Sequence, residues 1–417
     1  MATTNLVNAR YLQTSKLLLN YFFVACLTFL FLFGANFYFF GNGDIDNPNT
    51  PLFLSFSKDG IWIFCVLLLI IFKNTKSINK HLLMNAASVW IFCLGFTLFI
   101  FLKEGVLHDS YLKLFKNLFL YTSLTFVVMS ILINRDNMHY FMNKITDALI
   151  FSMIISLLLF FFHPVQSLTG RLFGTYGNPN SAGLMGFASV AFFEATKGNY
   201  VKIYYKILFY CLALSVLIFA ASLTAIISFA IFIICLPLIR SNTLRDFLRY
   251  VKKVALSFLV LIVILFNFFS SLLDWLILYT PIGIRFMSLA DEGKDYESIS
   301  IRLDDYNKMF SKSDFTEILQ MDSTLSTYGF NFGVIGLIFL ASIIIPAVRH
   351  AMRNIFLYSN ASSFVSLRVL SLFLVIYSGI IFPTQFSFDV FPTNLLITIV
   401  ICFVCLSKRL RIQKVES

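Results

Sequence analysis

The chain has 417 residues, of which 59% are hydrophobic and 13% are charged, and 51 of them are phenylalanine. This composition excludes a soluble monomeric globule and indicates a protein whose solvent is the lipid bilayer. The net charge of +11 sits mainly in the gaps between apolar runs, so it predicts membrane lipids with anionic headgroups as partners and no nucleic acid.

Long apolar runs follow one another along nearly the whole chain. A helix needs about 20 apolar residues to cross the hydrocarbon core, and continuous runs in lipid must be helical to satisfy their backbone. Twelve spans are predicted, with centres near residues 28, 63, 92, 125, 155, 190, 214, 231, 264, 338, 377 and 398. The sequence therefore predicts an all-α, polytopic helical membrane protein that forms a single integral membrane domain over residues 1–417.

Lysine and arginine alternate between the gaps. Of the 32 basic residues, 22 lie in the gaps 1–16, 73–80, 135–144, 197–206, 240–253, 349–368 and 408–414. Because cytoplasmic loops carry the excess of basic residues, both termini are predicted to be cytoplasmic in a bacterial inner membrane. The first apolar run, 17–40, is too long for a removed signal peptide and is predicted to be a retained span.

The cysteines and carboxylates give no pattern for a metal ion. All seven cysteines lie inside apolar runs, at Cys26, Cys65, Cys93, Cys211, Cys235, Cys402 and Cys405. They are predicted to be buried packing thiols, without disulfides or zinc. Asp304 and Asp305 are adjacent and point in different directions on a helix. No cofactor and no metal site are predicted.

Residues 164–183, PVQSLTGRLFGTYGNPNSAG, form a turn that leads into a helix. The Asn-Pro-Asn-Ser run at 178–181 breaks any preceding helix, and Asn180 or Ser181 is the predicted cap of the next one. Three glycines allow close backbone approach: Gly170, Gly174 and Gly177. Exposed N–H groups beside Arg171 would suit a phosphate. The alternative is a structural re-entrant turn whose Arg171 reaches the headgroups.

A predicted loop subdomain of more than fifty residues, 275–328, separates the ninth and tenth spans. Ten of the 21 acidic residues lie between 274 and 322, and a gap of this length suggests function. Segment 298–312, SISIRLDDYNKMFSK, is predicted to be a helix with Ser300 as a possible cap. Its apolar stripe is Ile301, Tyr306 and Phe310. The alternative is an amphipathic helix that lies on the membrane surface.

The segment 321–336, MDSTLSTYGFNFGVIG, leads from this loop into the tenth span. Its glycines at 329, 333 and 336 are predicted to permit close helix packing. Packing does not explain Asp322, an acidic residue on the turn before a membrane helix.

These three segments resemble, in order and sidedness, the O-antigen polymerase and O-antigen ligase superfamily of bacterial envelope proteins. The similarity covers about residues 160–345 and is carried by RLFGTYGNPNSAG, SISIRLDDYNKM and DSTLSTYGFNFGVIG. Two departures favour the polymerase branch. Asp322-Ser323 stands where ligases tend to have His-Asn, and residues 222–224, Ser-Leu-Thr, stand where ligases tend to have an arginine.

The resemblance implies a membrane glycosyltransferase that acts without a metal on an undecaprenyl-pyrophosphate-linked oligosaccharide at the periplasmic face. A growing glycan, of O-antigen or capsular type, is transferred onto an incoming lipid-linked repeat unit, and a chain-length regulator is a further partner that the family allows. Arg302 and Arg171, followed by Arg285, are the implied phosphate clamps. The other implied substrate contacts are Asn178, Asn180, Tyr306 and His163. The implied base is left open among Asp322, Asp304, Asp305 and His163.

Two kinds of protein compete with the polymerase. A ligase would move finished polymer to the lipid A core. A transporter, including a flippase for the same lipid-linked sugar, usually places charges and broken helices near mid-membrane. The apolar runs here are nearly free of ionisable residues, with Asp147 and Glu194 close to run ends. The polar groups gather on one face instead, which favours an enzyme.

The resemblance predicts that Arg302→Ala abolishes long-chain surface polysaccharide while single repeats still reach the surface, because a diphosphate clamp is lost. A polysaccharide gel of a strain with verified expression and topology measures this. Unchanged chain lengths would exclude a catalytic role for Arg302. A ligase defect would instead leave polymer on the carrier lipid and no capped core.

Overall fold

The computed structural model describes nine stretches of ten or more residues and several shorter ones. They are residues 21–23, 25–31, 52–72, 79–132, 135–162, 170–176, 178–198, 201–240, 303–312, 315, 317–357, 365–385, 387–388, 391–415 and isolated positions between 245 and 280. Within these residues helix is the only regular secondary structure, which confirms the all-α prediction. The longer helices are α1 (Leu52–Phe72), α2 (Lys80–Glu104), α3 (Asp109–Asn117), α4 (Leu124–Leu132), α5 (Arg135–Phe162), α6 (Pro179–Thr196), α7 (Ile203–Ala220), α8 (Leu223–Arg240), α9 (Thr324–Leu357), α10 (Val365–Ile376) and α11 (Thr393–Val415).

Among the described residues, seven helical segments are long and apolar enough to cross a membrane. They are Lys80–Glu104, Asp109–Leu132, Met138–Phe162, Ile203–Ala220, Leu223–Arg240, Thr324–Phe356 and Val365–Thr384. The chain is therefore a helical, membrane-spanning protein. The predicted span near residue 264 and most of the predicted 275–328 loop lie outside the described residues, so the count of twelve spans and the loop subdomain stay predictions.

Polar contacts at one end of the bundle join residues from three of the basic gaps. The charge pattern predicts that all of these gaps lie on the same side of the membrane. Glu194, near the end of α6, lies 2.6 Å from Arg240 Nη2 at the end of α8 and 2.9 Å from Lys206 Nζ at the start of α7. Ser366, at the start of α10, donates a hydrogen bond to the carbonyl of Ala195. We call this the basic end. Lys206, Arg240 and Ser366, described residues of the gaps 197–206, 240–253 and 349–368, therefore lie at one end of the bundle, which agrees with the alternation.

Two helices form the centre of the bundle. Every residue of α6 from Ser181 to Thr196 is buried, and so is every residue of α11 from Thr393 to Cys405. The small side chains of α6 permit this, since a Cβ at Gly183 would lie 2.6 Å from Ser222 Cβ and one at Gly186 would lie 3.2 Å from a Val216 methyl. Close approach through small residues is the usual way in which helices pack in lipid.

Peripheral helices present large apolar side chains outward. On α2, Ile91 is 73% exposed, Leu94 is 71% exposed and Leu102 is 76% exposed. In a helix long enough to cross the bilayer, such side chains are solvated by lipid.

Five of the seven cysteines are buried, as predicted, whereas Cys211 is exposed and Cys235 is partly buried. None of the seven cysteines forms a disulfide.

Three helices depart from regular α geometry. Residues Leu118–Ser123 between α3 and α4, and Tyr377–Ile381 after α10, are π-helical. In α9, Gly333 adopts φ 60° and ψ −149°, a conformation that is essentially restricted to glycine. The prediction that Gly333 serves helix packing is therefore wrong, because nothing lies within 4 Å of where its Cβ would be. The glycine breaks the helix instead.

The neighbouring glycines of α9 have separate roles. A Cβ at Gly329 would meet the side chain of Met309 at 2.6 Å, which agrees with the predicted close packing at that position. A Cβ at Gly336 would meet the carbonyl oxygen of Tyr328, in the preceding part of the same helix, at 2.7 Å. The break at Gly333 brings these two parts of α9 together.

We predict that Glu194→Ala destabilises the protein by about 3–5 kcal/mol, since it leaves the Arg240 and Lys206 cations without their buried carboxylate. The Glu194 side chain has no exposed surface. Thermal unfolding in detergent measures the effect. The matched control is Asp147→Ala, which removes a carboxylate that is 43% exposed and contacts Lys197 and Lys144, for an expected loss of about 0–1 kcal/mol. Equal losses of stability in the two variants would show that the buried Glu194 cluster contributes no more to stability than the exposed Asp147 ion pairs.

Candidate functional site

The turn of residues 170–176 is fastened to the bundle by buried hydrogen bonds. Leu172 N–H donates to the Phe219 carbonyl at 2.9 Å, and Thr175 N–H donates to Ser156 Oγ at 3.1 Å. Tyr176 OH lies 2.6 Å from Ser152 Oγ, and burial raises the pKa of Tyr176 to about 12. The neutral phenol and the anchored backbone fix the position of the turn.

Gly174 confirms the predicted close approach in this turn. Its φ is +59° and a Cβ there would lie 2.5 Å from Ser156 Cβ. Gly170 also has a positive φ, of +65°, but has open space around it. Gly177 lies outside the described residues. Glycine is therefore needed at 174 for both conformation and space, and at 170 for conformation.

Arg171 caps the end of α7. Its Nε and Nη2 donate to the Ala220 carbonyl at 3.2 and 3.0 Å, and Nη2 also donates to the Ala221 carbonyl at 3.3 Å. A cation is favoured at a helix C-terminus because the last carbonyls carry partial negative charge. The contact holds the partly buried guanidinium at the end of the bundle where the 170–176 turn lies.

The start of α6 corrects the predicted cap. Asn178 is the N-cap, since its Oδ1 accepts a hydrogen bond from Ser181 N–H at 2.7 Å, and Pro179 occupies the first helical position. Asn180, one of the two residues predicted to cap, lies partly buried in the first turn. Ser181, the other, has a buried Oγ without a hydrogen-bond partner in the described part of the chain.

Gln385 joins α7, α8 and α9 at the same place. Its Nε2 donates to Ser222 Oγ at 2.9 Å, and its carbonyl accepts from Thr324 N–H at 3.3 Å and from Thr324 Oγ1 at 3.2 Å. Ser387 N–H in turn donates to Thr324 Oγ1 at 3.1 Å. Since Ser222 follows Ala221, this network continues from the cap that Arg171 makes. We call this end of the bundle the loop end.

The segment 303–312 packs against the loop end. Tyr306 OH donates to the Pro383 carbonyl, and Ser323 Oγ donates to Tyr306 OH at 3.4 Å. Only residues 303–307 are helical, and Phe310 has a φ of +72°. The predicted helix of 298–312 is therefore wrong beyond residue 307, while its first residues lie outside the described part. Tyr306 contacts the bundle.

Asp305 and Asp322 are neighbours at the rim of the loop end. The exposed Asp322 donates its backbone N–H to Asp305 Oδ2 at 3.0 Å. Asp304 is directed to Lys308, with its Oδ2 2.5 Å from Lys308 Nζ. Of the three aspartates considered as a base, Asp305 and Asp322 are thus neighbours and Asp304 belongs to a separate ion pair. Arg302, Arg285 and His163 lie outside the described residues.

Two buried polar atoms at the loop end, Ser181 Oγ and Gln385 Oε1, have no hydrogen-bond partner among the described residues. Leaving such an atom unpaired costs about 1–3 kcal/mol, so both are available to hydrogen-bond a polar molecule at this end. Such atoms also occur elsewhere in the described bundle, among them Arg240 Nε at the basic end.

The sequence prediction missed Gln385, Ser222, Thr324 and Ser387 as members of this site. A signal was present in FPTQFSFD, residues 382–389, where polar side chains interrupt two apolar runs. The residues predicted for the site lie mainly in loops between spans. These four residues lie at or beside helix ends, where they hold the loops.

A second polar cluster lies near the loop end, on α1. The buried Asp59 accepts hydrogen bonds from Lys116 Nζ at 2.9 Å and from Tyr121 OH. Trp62 Nε1 donates to the Leu120 carbonyl in the π-helical segment at 2.8 Å. The sequence prediction did not include this cluster. Its bonds stabilise the irregular backbone of residues 118–123.

Among the described residues, no group of three or more His, Cys, Asp or Glu is arranged to hold a metal ion.

No protein-family model matches the chain, and no curated protein matches it.

Proposed function

We propose that this protein is a polysaccharide polymerase. It transfers a growing glycan from undecaprenyl pyrophosphate onto an incoming lipid-linked repeat unit, at the periplasmic face of the bacterial inner membrane. The observation that carries the proposal is the meeting of the three motif segments at the loop end. The cap made by Arg171, the Asp305–Asp322 pair and the buried Gln385 are joined there through hydrogen bonds of Ser222, Thr324 and neighbouring backbone groups.

The proposed reaction is a glycosyl transfer, which involves no oxidation or reduction. A sugar hydroxyl oxygen of the incoming repeat forms a bond to the anomeric carbon of the growing chain. The bond from that carbon to the diphosphate oxygen breaks, and its electron pair leaves with undecaprenyl diphosphate. The hydroxyl proton passes to a carboxylate. Positive charge develops on the sugar ring and negative charge on the leaving group, so carboxylates and guanidinium groups are the needed catalytic groups.

The chain offers both kinds of group. Asp322 is the proposed base, because it is exposed at the loop end and belongs to the segment whose Asp-Ser resembles that of the polymerases. Arg302 and Arg285 are proposed diphosphate contacts, since a guanidinium keeps its charge and binds two phosphate oxygens at once. Arg171 is the third, and it is proposed to act mainly through its charge, because its Nε and Nη2 already donate to the Ala220 and Ala221 carbonyls.

Four further residues are proposed to contact the sugars or the diphosphate: Asn178, Asn180, Tyr306 and His163. Asn178 already caps α6 through Oδ1, so its amide nitrogen is the group proposed for binding. Tyr306 OH is engaged with Pro383 and Ser323. Its aromatic ring, on an exposed residue, is the part proposed to contact a sugar.

We expect Asp322→Asn to lower the polymerisation rate by about 10²-fold or more, as is usual for loss of a general base. The assay uses the purified full chain in detergent micelles with an undecaprenyl-diphosphate-linked repeat unit, and measures glycan length and released lipid diphosphate. The matched control is Asp109→Asn, which neutralises another exposed carboxylate, in the first turn of α3. Its expected rate equals that of the wild type. Equal rates for Asp322→Asn would remove this residue from the role of base.

The same assay separates polymerase from ligase. A polymerase lengthens the glycan when the lipid-linked repeat is its sole substrate. A ligase forms product only when a lipid A core acceptor is added. If product forms only when the core acceptor is present, the protein is a ligase and the polymerase proposal is overturned.

A transporter is the second candidate, and one observation favours it. The break of α9 at Gly333 resembles the discontinuous helices that form substrate sites in carriers. Micelles distinguish the two classes, because they have no separate compartments and transport yields no new bond there. If the wild-type protein makes no longer glycan in micelles but moves a lipid-linked sugar across proteoliposomes, the polymerase proposal is overturned.

A further inference from the structure

Two histidines meet at the basic end, where the start of α2 lies beside the end of α9. The rings of His81 and His350 are in edge-on contact, with 6.2 Å between their centroids. Asn79 caps α2, since its Oδ1 accepts a hydrogen bond from His81 N–H at 3.0 Å. Asn354, near the end of α9, donates through Nδ2 to Ser371 Oγ on α10 at 3.1 Å. Hydrogen bonds therefore hold both helix ends in place around the histidines.

Three exposed basic side chains adjoin the two histidines, at Lys80, Arg349 and Arg353. Lys80 directly precedes His81 on α2, and Arg349 directly precedes His350 on α9. Arg353 lies three residues after His350, which places it on the same face of the helix. None of the ion pairs among the described residues includes any of these three cations. We call the five residues the cationic surface.

The helices around the cationic surface carry no carboxylate that could neutralise it. Helices α4, α9, α10 and α11 contain no Asp or Glu, and Glu104 of α2 lies at the other end of that helix. Elsewhere at the basic end the arrangement is different, because Arg240 and Lys206 share the buried Glu194. The cationic surface therefore has a charge that is complementary to an anion from outside the chain, such as a phosphate group.

Apolar side chains border the cationic surface toward the middle of both helices. Met84, one turn further along α2, is 65% exposed, and Ile345, one turn before Arg349 on α9, is also 65% exposed. Both helices are long and apolar enough to cross a membrane, so these side chains face lipid. A phospholipid matches both surfaces at once, because its phosphate and its hydrocarbon chains are adjacent. Basic pockets between membrane helices on the cytoplasmic side bind anionic headgroups in this way.

We propose that the cationic surface binds the headgroup of an anionic phospholipid, on the side of the membrane that the charge pattern predicts to be cytoplasmic. Lys80, Arg349 and Arg353 contact the phosphate oxygens, and each guanidinium can bind two of them. A ring N–H of His81 or His350 supplies a further donor. The charge pattern alone predicts anionic lipids as partners of the whole chain, whereas the surface gives one of them a defined site. The proposal is independent of the proposed function, because the loop end lies at the other end of the bundle.

The test removes the three exposed charges. Binding of phosphatidylglycerol to the purified full chain in detergent micelles is measured by native mass spectrometry. We expect the Kd to rise about 100-fold in a triple variant, since each basic residue near an anionic lipid contributes to binding. The substitutions are Lys80→Gln, Arg349→Gln and Arg353→Gln. Each single substitution is expected to raise the Kd about fivefold, which gives a second measurement if the triple variant is unstable.

Two matched variants separate the site from general charge and from folding. The first removes the same charge from other positions at the basic end and is expected to leave the Kd unchanged. It combines Lys144→Gln, Lys197→Gln and Lys202→Gln. The second conserves the charge of the cationic surface and is expected to bind at least tenfold more tightly than its glutamine counterpart. It combines Lys80→Arg, Arg349→Lys and Arg353→Lys.

The ligand is identified by comparing three probes on the wild-type chain. Phosphatidylglycerol is expected to bind, whereas phosphatidylcholine, which has no net charge, is expected to bind at least tenfold more weakly. Glycerol phosphate, which lacks the hydrocarbon chains, is expected not to compete. Equal binding of the two lipids, or full competition by an equal concentration of glycerol phosphate, would overturn the proposal. Equal losses of binding in the two glutamine triple variants would overturn it as well.

Discussion

Hydrogen bonding of the backbone in a medium without water is the constraint on which this structure depends. A peptide group in hydrocarbon must find its partner within the protein, so each interruption of a helix needs a compensating side chain. The π-helical segment at 118–123 receives the indole N–H of Trp62 on the carbonyl of Leu120. The last carbonyls of α7 receive Arg171. The segment after Tyr377–Ile381 is joined to the start of α9 through Gln385 and Thr324.

The two ends of the bundle satisfy the same constraint with different chemistry. At the basic end, Glu194 gathers Arg240, Lys206 and Tyr210 around one buried carboxylate. Removal of the Glu194 carboxylate would leave both cations without this buried partner, so the cluster is costly to break. At the loop end the contacts are mainly neutral hydrogen bonds of hydroxyl, amide and carbonyl groups. Buried polar atoms without a partner among the described residues occur at both ends, with Arg240 Nε at the basic end and Ser181 Oγ and Gln385 Oε1 at the loop end.

Sequence patterns predicted those features that follow from hydropathy and charge over many residues. The apolar runs gave helices such as α2 and α9, and the alternation of basic residues agreed with the meeting of Lys206, Arg240 and Ser366 at one end. Features that depend on one backbone conformation or one partner were not predictable. Gly333 has the same spacing as a packing glycine, and only its φ and ψ show that it breaks the helix. Gln385 is a single polar residue, and its importance depends on Ser222, 163 positions away in sequence.

The centre of the bundle has a consequence for how the protein is made. Helix α6 is enclosed on all sides, carries Asn180, Ser189, Glu194 and Thr196, and is not among the segments apolar enough to cross a membrane by themselves. Its insertion from the translocon is therefore weakly favourable, since each polar residue opposes partition into lipid. Helices α5 and α7, which precede and follow it, supply the missing apolar and polar contacts. We therefore expect integration of α6 to be cooperative and to depend on α7, which is synthesised after it.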